Sequence, residues 1–158
     1  MTTNDISKIG QSYEARSGNK LGADGNKLLL DTLEEFAEAG GWYLDLLTME
    51  FTALGKKTYE IYGLPDNTEV DYKQFLFQYV HIEDQHIAEQ VRMRLISGES
   101  PVFFEHRIIK QDTGEIKLLN SVAYRVEDQN KVLVGLRGIT MYAKKQPRKA
   151  SQKGREKR

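Results

Sequence analysis

A chain of 158 residues, 39% hydrophobic and 29% charged, has the length and make-up of one globular domain rather than two. It has no cysteine, which excludes disulfides, thiolate metal sites, iron–sulfur ligation and a cysteine nucleophile. Net charge is zero, yet residues 143–158 carry eight Lys or Arg against one Glu, about +7, and leave about −7 on residues 1–142. No apolar run approaches the roughly 18 residues of a membrane span, and the polar start lacks the apolar stretch of a secretory signal, so a cytoplasmic protein away from membranes is expected.

Residues 1–25 are polar and glycine-bearing, and disorder or loose coil is expected there. An amphipathic helix is expected over 26–40. Leu29, Leu33, Phe36 and Ala37 fall on one stripe, and Asp31, Glu34, Glu35 and Glu38 supply the wet side. Gly40 and Gly41 read as its stop. "GWYLDLLT" and "EFTAL" alternate like two strands joined by a tight turn near Thr48–Glu50. "GKKTYEIYGLPD", "DYKQFLFQYV" and "EDQHIAEQVRMRLISGE" read as three short helices, the third with Ile87, Val91 and Leu95 at i, i+4 and i+8 and Gly98 as its stop.

The last third reads as sheet. "VFFEHRIIK" and "IKLLNSVAYRVE" flank the hairpin turn "QDTGE", and "KVLVGLRGIT" is a final strand. In the middle strand Ile116, Leu118, Asn120, Val122, Tyr124 and Val126 share one face, expected to be the inner one. The order of elements implies an α+β fold, five antiparallel strands with helices against one face.

"HIEDQH" at 81–86 places two histidines around two carboxylates. Chelation from one helix needs ligands at i and i+4, because those share a face. His81 and His86 are five apart and would diverge by roughly 140°, so neither a metal site nor a catalytic pair is expected here. The basic run from Lys144 lacks aromatics for base stacking; a solvated tail is favoured over a contact with nucleic acid or an acidic partner, which stays as the alternative.

This order of elements, carried by "GWYLDLLT", "VHIED", "EHRIIKQDTGEIKLL" and "VGLRGIT", resembles the PAS sensory domain of bacterial histidine kinases and cyclic-nucleotide signalling enzymes, over residues 41–142. Departures include Ile82 for a usual proline, His106 for a usual aromatic, Leu118 for a frequent tryptophan and Gly138 for an aspartate. The resemblance implies a PAS fold and a non-catalytic module that senses a small ligand or mediates dimerisation. It implies a corner at His81 and Asp84, and an inner cavity for which Ile87, Val91, Leu95, His106, Leu118, Asn120, Val122 and Tyr124 are the candidates. Leu29, Leu33 and Phe36 are the candidates for a homodimer helix, and Gly138, Ile139 and Thr140 for the exit of the signal towards a separate effector. A covalent flavin adduct is excluded by the missing cysteine. Haem is disfavoured, because His86 lies off the apolar stripe. The identity of any cofactor is left open.

Overall fold

The computed structural model describes residues 23–147; the disorder or loose coil expected in residues 1–25 falls, up to Gly22, outside the described residues, as does the basic run from Arg148. Helix α1 spans Ala23–Ala37, earlier at both ends than its periodicity suggested. Leu28, Leu29, Leu30, Leu33 and Phe36 are all exposed on it.

Gly40 and Gly41 do not stop this helix. Glu38 does, in left-handed backbone with φ 54°. Both glycines belong to strand β1 (Ala39–Asp45). A Cβ on Gly40 would run into the backbone and hydroxyl of Thr58, so the strand needs glycine for close packing rather than for a turn. A Cβ on Gly41 would stand 3.2 Å from the Glu34 carboxylate.

Strands β2 (Glu50–Leu54), β3 (Val70–Asp71), β4 (Val102–Ile109), β5 (Ile116–Glu127) and β6 (Leu133–Tyr142) complete one sheet. Its order is β3-β2-β1-β6-β5-β4, antiparallel throughout. Five strands were expected. The sixth, β3, is two residues long and pairs Val70 with Phe51 and Asp71 with Glu50, too short to leave an alternating pattern. In the middle of the sheet β1 and β6 run side by side, with Ala39 opposite Met141 and Trp42 opposite Gly138.

Helices α2 (Lys56–Tyr62), α3 (Tyr72–Gln74, continued by a wide π-helical turn over Phe75–Tyr79) and α4 (Gln85–Ser97) connect β2 to β4. Their ends are chemically marked. Asp71 caps α3 by accepting from the Gln74 amide at 2.7 Å. Gly63 and Gly98 close α2 and α4 at φ 68° and 115°. Arg125 of β5 donates to the Leu95 and Ile96 carbonyls at the end of α4, where orphan carbonyls and the helix dipole favour a cation. Glu34 does the same for α2 in the opposite sense: its carboxylate accepts from the amides of Lys57 at 3.0 Å and Gly41 at 3.1 Å.

The face of β5 turned towards the core is the opposite of the one expected. Leu119, Ser121 and Ala123 are buried, and Ile116 and Asn120 are exposed. The reason lies in the register. Ala123 pairs with Gly138, which pairs with Trp42; Ser121 pairs with Thr140, which pairs with Gly40. Small residues across the middle of the sheet leave room for rings lying on it, so the core face is the less bulky one. Two hydrophobic clusters form above this floor. One gathers Leu44, Leu76, Val91, Leu95 and Leu136, the other Ile61, Val70, Tyr79, Ile108 and Leu119.

Candidate ligand site

Between the two clusters lies a cavity of about 70 Å³. Trp42 and Leu44 of β1, Leu136 of β6 and Phe104 of β4 form the sheet side. Phe51 and Leu54 of β2 close one edge. Tyr62, Tyr72, Phe75 and Tyr79 come from the helical side, and Ala88, Val91, Arg92 and Leu95 from α4. The rings interlock, Phe51 and Tyr62 edge to face with Phe75 and Tyr72 tilted against it. Phe75 is the hub, with centroids 5.4 Å from Phe51, 5.9 Å from Tyr72 and 6.1 Å from Tyr62. Trp42, the chain's one tryptophan, extends this array to Phe51 at 6.1 Å.

One corner of this apolar space is polar. The Tyr72 hydroxyl donates to Glu89 Oε1 at 3.0 Å, and Arg92 Nη2 donates to Glu89 Oε2 at 2.9 Å. The Arg92 guanidinium lies 5.0 Å over the Tyr72 ring. Burial and the neighbouring Glu89 carboxylate push the Tyr72 hydroxyl well above its ordinary range, so it stays a donor.

Val91 and Leu95 line the cavity. Ile87 packs against the first cluster without reaching the wall. Leu118, Asn120, Val122 and Tyr124 do not line it, because β5 presents its other face. His106 points inward but stands behind the wall, stacked on Phe104 at 5.2 Å. It is 2% exposed, and neither ring nitrogen has a hydrogen-bond partner among the described residues. Burial drives its pKa down to about 4 against a weaker opposing pull from Asp84, so the imidazole is neutral at pH 7. The expected grouping of His106 with Asn120 and Tyr124 fails, since those two face away.

"HIEDQH" forms a corner. His81 Nδ1 accepts from the Glu83 amide at 3.1 Å, and the Asp84 amide donates to the His81 carbonyl at 2.8 Å. Asp84 accepts from Arg107 three times: from the backbone amide at 2.7 Å, Nε at 3.0 Å and Nη2 at 2.7 Å. Those bonds hold its carboxyl below the usual range despite burial. His86 is exposed. No group of three or more His, Cys, Asp or Glu suited to a metal occurs among the described residues.

On the central strand β6, Gly138 is buried beneath Trp42, Ile139 is exposed on the opposite face, and Thr140 is buried with its hydroxyl 2.6 Å from that of Ser121. Beyond β6 the Gln146 side chain pairs with Leu118 as a strand residue would, accepting from its amide at 2.8 Å and donating to its carbonyl at 3.0 Å.

The residues that sequence reasoning missed are the polar corner and its rings. Glu89 and Arg92 are spaced i, i+3 and look like an ordinary surface pair. Tyr72 comes from another segment, and nothing local announces that it meets them.

The size bears on cofactors. An engineered cavity of about 150 Å³ accepts benzene, so a space of about 70 Å³ does not take a tetrapyrrole or an isoalloxazine without displacing its rings. No helix of the described residues is long and apolar enough to cross a membrane.

Comparison with known proteins agrees with this geometry. No curated protein matches the chain. Among solved structures, the N-terminal domain of a diguanylate cyclase with a PAS/PAC sensor from Marinobacter aquaeolei is 20% identical, with a TM-score of 0.59 over 66% of this chain and 94% of that one. A sensory box histidine kinase/response regulator from Burkholderia thailandensis is 16% identical, with a TM-score of 0.56 over 81% and 88%. A PAS domain from Colwellia psychrerythraea is 19% identical, with a TM-score of 0.56 over 71% and 97%. At these identities the likeness concerns the fold. The PAS fold family itself matches residues 52–140, more than half of the sequence, and the chain belongs to that family.

Proposed function

We propose that this chain is a non-catalytic sensory module of bacterial-type signal transduction that holds a small apolar molecule between its two core clusters and acts as a homodimer on a separate effector. The observation that carries the reading is the ring-lined cavity, closed on one side by the sheet and on the other by α3 and α4. Ring packing usually leaves few voids larger than a water molecule, and an apolar one is better filled by an apolar guest than by water. Trp42 connects this space to the exit strand, since its indole rests on Gly138 of β6. The exposed Leu29, Leu33 and Phe36 of α1 supply the surface through which two copies associate.

Native mass spectrometry of the freshly purified protein tests both parts at once. A dimer carrying a discrete non-covalent mass that disappears on denaturation is the expected result. A monomer with no adduct, and with no response of Trp42 emission to small apolar compounds, overturns the reading.

A further inference from the structure

Glu89 divides its two oxygens between Tyr72 and Arg92. A carboxylate facing a guanidinium edge commonly takes two parallel N–H bonds. Here only Nη2 is engaged, because Tyr72 holds the other oxygen. Arg92 Nε–H is left buried with no partner among the described residues, on a side chain that lines the cavity. A buried donor without an acceptor is costly, and few occur in a native domain. It is therefore a place in the wall where a guest gains a directed bond from a charged donor.

Three observations fix what that guest is. The bare group is a donor, so the guest brings an acceptor. Glu89 already balances the Arg92 charge and lies beside it, so an anion would meet a carboxylate and the guest is uncharged. The space is about 70 Å³, so the guest is small. Resting on the reading of the cavity as a sensory site, we propose that its ligand is a small uncharged carbonyl compound of about four heavy atoms, fewer than the six of benzene, which occupies a cavity of about 150 Å³. The carbonyl oxygen accepts from Arg92 Nε–H while the hydrocarbon part lies among Phe51, Phe75 and Trp42.

Three compounds of matched shape and about four heavy atoms test this on the intact chain: acetone, its hydrocarbon counterpart 2-methylpropane, and the anion acetate. Trp42 gives the single indole N–H signal in a proton–nitrogen NMR spectrum, and its shift reports occupancy. The ketone should bind about tenfold more tightly than the hydrocarbon, as one charge-assisted hydrogen bond requires, and more tightly than the anion. Arg92→Met should remove that preference and leave hydrocarbon binding. If Arg92→Met does not fold, Tyr72→Phe takes its place: it frees Glu89 Oε1 to engage Nε–H, and should abolish the preference by the same route. Equal binding of ketone and hydrocarbon, or tightest binding of acetate, overturns the ligand class while leaving the cavity a ligand site. No Trp42 response to any of the three overturns the sensory reading as well.

Discussion

The indole of Trp42 occupies the space that a Cβ on Gly138 would take. Any side chain at that position would meet the ring and the Val122 carbonyl together. The two residues are direct partners across β1 and β6. Gly138 stands where PAS sequences usually carry an aspartate, and the structure gives the departure a reason: the ring that walls the cavity needs the room. Gly138→Ala is expected to cost about 1–3 kcal/mol, the usual penalty for overpacking a filled core. Denaturant titration measures the loss, and a shift in Trp42 emission shows that the ring has moved.

His106 predicts a specific pH dependence. Its pKa falls from 6.5 to about 4 on folding, so between those values the unfolded chain binds the extra proton and stability rises with pH. The penalty is absent above about pH 6.5 and grows as pH falls, reaching about 3 kcal/mol near pH 4 at 1.36 kcal/mol per unit. His106→Leu should flatten the stability profile across that window. It should also raise stability at pH 7, since it removes two unpaired buried nitrogens. A variant profile parallel to the parent would assign the acid loss to other groups.

Arg107→Ala should be costly out of proportion to its exposure. It deletes two of the three bonds that hold the buried Asp84 carboxylate. A loss of about 2 kcal/mol is expected, the scale for charge-assisted hydrogen bonds to a buried group. Asp84, which Arg107 now holds below the ordinary carboxylate range, would then titrate higher. Stability that depends on its ionised form would be lost at a higher pH on the way down, and acid unfolding monitored by far-ultraviolet circular dichroism should begin earlier.

Leu29 and Leu33 are 53% exposed each, and Phe36 is 91% exposed. Changing the two leucines to lysine should leave the melting of an isolated chain nearly unchanged, because little burial is lost. Dimerisation should be lost with them. Sedimentation velocity separates the two effects: a double variant that still sediments as a dimer places the interface elsewhere.

Much of this architecture is legible in the sequence, and the misreadings have physical causes. The α4 stripe of Ile87, Val91 and Leu95 identifies a helix and its buried side, because bulky apolar residues at helical spacing have one sensible destination. In β5 the same logic gives the wrong face. Leu118, Val122 and Tyr124 outweigh Leu119, Ser121 and Ala123 in bulk, but the core already holds a layer of rings and needs a flat floor. Alternation reveals that a strand has two faces; which one is inside depends on what lies above it. Gly40 and Gly41 look like a helix stop because glycine serves both turns and close packing, and only Thr58 and Glu34 across the chain decide between them. The Tyr72–Glu89–Arg92 corner joins two segments, so no single stretch carries its signature.

The pairing of Ala39 with Met141 has an architectural consequence. Cα atoms directly opposite in an antiparallel ladder are about 5 Å apart, so the segment arriving at β1 and the segment leaving β6 meet the sheet at one point. Seen from its flanks, the whole folded body is a side loop on the chain. Such a unit can be spliced between other modules, or removed from them, with almost no change in the distance they span.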